Sequence, residues 1–372
     1  MTEQTSPTAV SKEETTSLPS EQTKTPAEFF KDWSFEHWAY LHGKPKASAK
    51  FKTIPEDFVV TENLGFELTG SGENVFLLIE KTELNTHQVC EYLAKFFGRR
   101  LRDIGYAGLK DKQSISRQWF SIQMNITQNI DLTKLGTENI RLIEHSRHIK
   151  KLKIGALKSN HFDILLKDIT DVIDTIGRLE QIKTQGVPNY FGLQRFGFKG
   201  NNLNWADRMS AGEDIKNRKI KGFALSASRS YIFNEVVNER LKQKLFDKAL
   251  NGDVFILTGS NSYFSQDVDD KITQRLQEND IQVSAPLFGK GEFETKGQVL
   301  ELETQVAGQH ANWQKMLVDN GLKQERRSIL LNPDNLTWLV KGNDLLVSFD
   351  LPTGCFATSI LRECVDFIQE YS

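Results

Sequence analysis

Residues 105–119 read Gly-Tyr-Ala-Gly-Leu-Lys-Asp-Lys-Gln-Ser-Ile-Ser-Arg-Gln-Trp. Asp111 stands between Lys110 and Lys112 in a polar turn, and the turn joins two apolar runs of strand length, 104–107 and 117–124. A carboxylate flanked by cations is held ionised, the form that a nucleophile or a base needs. A solvated turn aspartate carries the same neighbours, so these residues by themselves leave both readings open.

Working outward, residues 50–62 read as a pair of strands, with Pro55-Glu56-Asp57 as the turn before Phe58-Val59-Val60. Residues 75–80 form a further short apolar run. Asn85 or Thr86 caps a predicted helix to Phe97, with Val89, Leu93 and Phe96-Phe97 at helical spacing and Gly98 as the stop. Downstream, 161–166 is strand-like and 168–183 is an amphipathic helix. Strands interleaved with helices, several joined by hairpin-length turns, predict an α+β fold with a mainly antiparallel sheet. Residues 186–200, Gly-Val-Pro-Asn-Tyr-Phe-Gly-Leu-Gln-Arg-Phe-Gly-Phe-Lys-Gly, are too rich in glycine for a regular element and read as a boundary or an ordered loop. Beyond them the pattern is helical, notably over 226–248. It returns to strand at 345–349, before a closing helix over about 356–371. A domain inserted between two halves of another produces this order.

The 372 residues are enough for two domains. No apolar run approaches the ~20 residues of a membrane helix, and the N-terminus lacks a secretory pattern. Cys90, Cys355 and Cys364 show no metal-type spacing and no even disulfide set, so a reduced, cytoplasmic compartment is expected. Residues 1–28 carry five Glu and two Lys among Thr, Ser, Gln and Pro, and are expected to be disordered. A net charge of −2 does not by itself suggest a nucleic-acid partner, but the basic residues cluster. Residues 145–158 hold five Lys/Arg and two His with no acid, and 216–221 are also basic. Alternation of Lys151 and Lys153 with Leu152 and Ile154 predicts a strand whose basic face either tracks phosphates or simply meets solvent. Phe58, Phe162, Tyr190, Phe191, Phe196 and Phe356 could stack on bases, and could equally be core. No phosphate loop, His-Glu-x-x-His, Gly-x-Ser-x-Gly or dinucleotide fingerprint occurs, so the chemistry is expected to need no metal and no bound cofactor.

Five segments resemble, in order, the TruD family of tRNA pseudouridine synthases. They are Tyr40-Leu41-His42-Gly43-Lys44-Pro45, Pro55-Glu56-Asp57-Phe58-Val59-Val60, residues 108–119, residues 186–197 and residues 351–362. Gly-x-Lys-Asp-Lys and Asn-Tyr-Phe-Gly-x-Gln-Arg-Phe-Gly are the most specific of these. The resemblance implies an α+β pseudouridine-synthase catalytic domain with a mixed, mainly antiparallel sheet, built from 29–185 and 331–372. A TruD-specific α+β domain would be inserted at 186–330. It implies an isomerase (an intramolecular transferase) that acts as a monomer on tRNA, at uridine 13 of the D-arm. The reaction breaks the N1–C1′ bond, rotates the base and joins C5 to C1′. Asp111 matches the indispensable aspartate of the family. Phe58, Asn160 and Phe356 match substrate contacts, Phe162 matches an aromatic lining the same pocket, and Lys52 or Arg362 would be the cation at Asp111. Leu109 departs from the glutamine of some relatives. A wider RNA target and a non-catalytic RNA-binding module are the competing readings, and the intact Gly-x-Lys-Asp-Lys disfavours the second.

Overall fold

The computed structural model describes residues 31–128 and 131–369, so the expected disorder of 1–28 and the end of the closing helix at Tyr371 lie outside the described residues. Strands β1 (Ser48–Phe51) and β2 (Phe58–Asn63) do not form the pair expected over 50–62. Lys52 takes a left-handed φ of 57° and a 3-10 turn, Pro55–Asp57, follows it, so the chain is redirected and the two strands join different sheets. The Asp57 carboxylate stitches this turn, accepting from Thr53 N at 3.1 Å and Ile54 N at 3.2 Å and pairing with Lys167 at 2.6 Å. Next come β3 (Asn74–Thr82), α1 (Thr86–Phe96), β4 (Ile104–Tyr106), β5 (Ile115–Gln123), β6 (Gly136–Thr137), β7 (Ile140–His148), β8 (Ser159–Leu166) and α2 (Val172–Gln185). Asn85 caps α1 by accepting from Gln88 N, and Gly98 ends it at φ 60°, as the sequence predicts. Helix α2 starts later than 168 because Asp171 is its cap.

The chain then passes through β9 (Val187–Pro188) and the glycine-rich turns into α3 (Asn201–Ser210) and α4 (Arg218–Lys242). After these come β10 (Val254–Leu257), β11 (Tyr263–Ser265), α5 (Asp270–Gln277), β12 (Ile281–Leu287), α6 (Gly297–Gly308), α7 (Ala311–Asp319), β13 (Glu325–Ser328) and β14 (Leu330–Leu331). Helix α4 begins eight residues before Ser226, where the Asn217 side chain accepts from Lys219 N and Ile220 N. Strand β14 pairs back onto β9, so the chain leaves and returns through one short antiparallel ribbon. Between them lies a separate sheet in the order β11-β10-β12-β13, with its own core around Phe233, Val236, Val237, Phe255 and Leu317. Trp38 is buried in this core, with Trp33 and Phe35 against it.

Strands β15 (Asp334–Lys341) and β16 (Asp344–Pro352), helix α8 (Ala357–Cys364) and β17 (Asp366–Gln369) close the chain. The closing helix is shorter than expected, because Val365 is extended and β17 pairs in parallel with β1. The large sheet runs β15-β16-β8-β2-β5-β3-β7-β6, with β4 also on β5, and only β2–β5 is parallel within it. Mixed and mainly antiparallel is therefore the right description. One face of β2, β8 and β16 buries Phe58, Val60, Phe162, Ile164, Val347 and Phe349 against Leu179 and Ile182 of α2 and Ile360 and Leu361 of α8. Each such side chain contributes roughly 1.5–3 kcal/mol of burial free energy. Residues 149–158 are not the expected basic strand. Gly155 takes φ 83° and donates to Ala107 O, which makes the segment an irregular loop lying against the start of the Asp111 turn. Leu152 and Leu157 are buried while Ile154 is 77% exposed, so the alternation reflects loop anchoring rather than a pleat. No helix among the described residues is long and apolar enough to cross a membrane.

Candidate active site

Two strands share one edge of β5. Strand β2 pairs with residues 115–117 and β4 with residues 120–122, so the sheet splits between them. Side chains complete the hydrogen bonding there: Trp119 N donates to Glu62 Oε2 at 2.8 Å, and Gln118 Nε2 donates to Gly108 O at 2.7 Å. The link from β4 to β5 is held in this split. Lys110 Nζ meets Glu62 Oε1 at 2.5 Å, and Lys110 N donates to Thr86 Oγ1 at 2.9 Å. Lys81 Nζ donates to Leu84 O at 2.6 Å and Asp111 O at 2.8 Å, and Ser114 Oγ also donates to Asp111 O at 2.9 Å. The Asp111 backbone is thus clamped, while its side chain stays 47% exposed.

The cation at Asp111 is Lys52, with Nζ 2.7 Å from Oδ2 and a side chain only 9% exposed. Arg362 is not that cation. Its guanidinium donates to Ala39 O and Trp38 O and lies 3.9 Å from the Tyr40 ring centroid, where it fastens the N-terminal segment to α8. The Lys52 ammonium also sits 3.8 Å from the Phe58 ring centroid. That ring is buried and has one face occupied by the ammonium, so it supports Lys52. Phe162 lies 5.9 Å from Phe58 and stacks at 5.5 Å on Phe349. Asn160 is two residues from Phe162 on the same face of β8, paired with Glu62 and Leu351. Its Oδ1 is buried without a hydrogen-bond partner. Phe356, half-buried at the start of α8, makes its ring contact elsewhere, edge-on to Phe191 at 5.7 Å. The fold therefore gathers Asp111, Lys52, Phe58 and Phe162 in one chain of contacts. It sets Asn160 beside Phe162 and puts Phe356 against the 186–200 loop.

Burial pushes the Lys81 pKa down to about 8, against the opposing pull of Asp111. Below pH 8 both folded and unfolded chains carry the charge, and the folded state bears its full desolvation cost. Between about 8 and the ordinary 10.5 the folded state sheds the proton first, so stability rises with pH. Urea unfolding of wild type and Lys81→Met should show wild type gaining up to about 3 kcal/mol on the variant from pH 7.5 to 10. A flat difference would show that the ammonium is not desolvated.

Sequence reading passed over Glu62, Lys81 and the buried role of Lys110. A signal was present in the strand period. Phe58, Val60 and Glu62 share one face of β2, as Val75, Leu77, Ile79 and Lys81 share one face of β3, and both series end on a buried charge.

The family model for TruD, described as tRNA pseudouridine synthase D, matches residues 35–216 and 206–364. The tRNA pseudouridine synthase D of Pseudoalteromonas atlantica is 46% identical over 336 residues, covering 89% of this chain and 96% of that protein. The protein of the same name from Aeromonas salmonicida is 42% identical, over 88% of this chain and 94% of that one. A solved Methanosarcina mazei structure described as tRNA pseudouridine synthase D superposes with a TM-score of 0.66. It covers 86% of this chain and 93% of that one at 20% identity, a likeness of fold.

Proposed function

Because the chain belongs to the TruD family of tRNA pseudouridine synthases, isomerases that act on uridine in tRNA, we propose that Asp111 is its catalytic carboxylate and that the target is uridine 13 of the D-arm. The observation that carries this reading is a half-exposed Asp111 carboxylate on a clamped backbone, 2.7 Å from a nearly buried Lys52. Lys52 donates to Oδ2 and holds the carboxylate in a fixed place. As nucleophile or base it can attack C1′ or take the 2′ proton (returned later); either route breaks the N1–C1′ bond, and C5 then bonds to C1′, giving up its proton while N1 gains one. The reaction needs the nucleotide out of its stack, at a cost of a few kcal/mol. Asn160, whose buried Oδ1 lacks a partner, hydrogen-bonds the uracil edge, with Phe162 beneath it and Phe356 closing from the far side. Residues 186–330 form the inserted domain, and exposed cations such as Lys150 and Lys153 hold tRNA phosphates.

Incubation with a tRNA transcript, followed by carbodiimide primer extension, tests the position. One stop at nucleotide 13 is expected, and none when that nucleotide is cytidine. Stops confined to other sites would remove the position from the proposal.

A further inference from the structure

Most strongly buried arginines in the 187–331 region have an acid beside them. Arg240 lies 2.8 Å from Asp253, Arg326 2.7 Å from Glu303 and Arg229 3.1 Å from Glu325. Two arginines where this region meets the large sheet break the pattern. Arg195, in the 3-10 turn Leu193–Phe196, and Arg327, on β13, have no carboxylate partner among the described residues. Arg195 donates to Ser226 Oγ at 2.9 Å. Arg327 is braced more fully, donating to Asn189 Oδ1 at 2.6 Å and Gly354 O at 3.1 Å. The Nε of each is buried with no acceptor, and so is Thr358 Oγ1. Both guanidiniums lie by the Phe191 ring, with Cζ 5.4 Å and 4.3 Å from its centroid, and Arg195 is also 5.5 Å from that of Phe356. Burial lowers the pKa of both, and for Arg195 the nearby Arg327 adds to it. Like charges, desolvated together with donors unspent, are costly until an anion completes them.

The surface leading to this pair is basic as well. Lys216, Arg218, Lys219 and Lys221 stand at the start of α4, the positive end of its dipole, where cations are disfavoured. None of them forms an ion pair among the described residues. Phe223, 51% exposed, comes next along the helix, and then Ser226, the partner of Arg195. Cations and an exposed ring along one helix, leading to an acid-free arginine bonded to that helix, fit a polyanion that also carries bases. Gly192 permits the close packing beside them, since a Cβ there would lie 2.5 Å from Thr358 Oγ1 and 3.0 Å from Phe356 Cδ1.

We propose that Arg195, with Arg327 braced beside it, binds the backbone phosphate adjoining the nucleotide on which Asp111 acts, and that the RNA strand continues along α4 toward Lys219. This rests on the functional reading above. Nη2 of Arg195, beside the Nη1 given to Ser226, suits a phosphate oxygen, and holding that phosphate fixes the sugar while the base rotates.

The test uses ligated tRNA with single neutral methylphosphonates at each linkage within two nucleotides of the target, in single-turnover reactions. One linkage should slow wild type about tenfold, and Arg195→Gln should slow native RNA by a similar factor. Combining the two should add no further loss, and the salt slope of binding should fall by about one for the variant. Losses that multiply would overturn the proposal. So would a wild-type enzyme indifferent to every methylphosphonate, a result that does not depend on the variant folding. If wild type forms no pseudouridine in native RNA, the functional reading falls with it, and the control reaction reports that separately.

Discussion

Asp111→Ala should lower pseudouridine formation by about a thousandfold or more, the scale of removing a covalent or basic catalytic group. Binding of tRNA should stay within about threefold of wild type, since affinity is spread over many phosphate contacts. The substitution is informative because the loop does not depend on the carboxylate. Lys81 and Ser114 hold the Asp111 carbonyl, Glu62 holds Lys110, and none of these contacts involves Oδ1 or Oδ2. Lys52 has a second contact besides the acid, the Phe58 ring face 3.8 Å from its ammonium. Asp111→Asn retains the shape but not the charge and should be as inactive, whereas a steric role alone would spare it. Single-turnover rates from primer extension, beside filter binding, separate the two effects. Residual activity within tenfold of wild type would falsify the assignment.

The second large effect lies beneath that loop. Glu62 is fully buried, burial pushes its pKa up, and Lys110 with the Trp119 N–H works against that shift. Removing one partner of such a pair strands a buried charge, at a cost of about 3–5 kcal/mol. Glu62→Leu and Lys110→Met should each lower the unfolding free energy by that amount in urea titrations. Glu62→Leu also leaves Trp119 N without its acceptor at the sheet split. The double variant should recover part of the loss, because two apolar groups need no partner. Penalties that simply add would show that the two groups are not coupled. Activity should fall in both single variants, since Lys110 precedes Asp111 and its anchor fixes where the carboxylate points.

The amino-acid sequence determined the elements whose causes are local, and the order of the motifs. Asn85 caps α1 and Gly98 ends it because a side-chain acceptor and a left-handed residue act within one turn. Asp111 was legible as a charged turn residue, and its weight came from the other four segments in their order. Interactions between distant strands were not legible. Strand β2 lies between β8 and β5, which brings Lys52 and Glu62 to a loop some fifty residues later. Arg362 was an equal candidate to Lys52 at the sequence level, and only packing showed it holding residues 38 and 39. Residues 149–158 alternate like a strand, yet a glycine turn and two buried leucines make them a loop bonded to residue 107. The closing helix stopped early for the same reason, because β1 offered a parallel edge that helical propensity does not register. Local propensity fixes what a segment can be. Which cation faces Asp111 is decided by strand pairing across the sheet, a property no single segment carries.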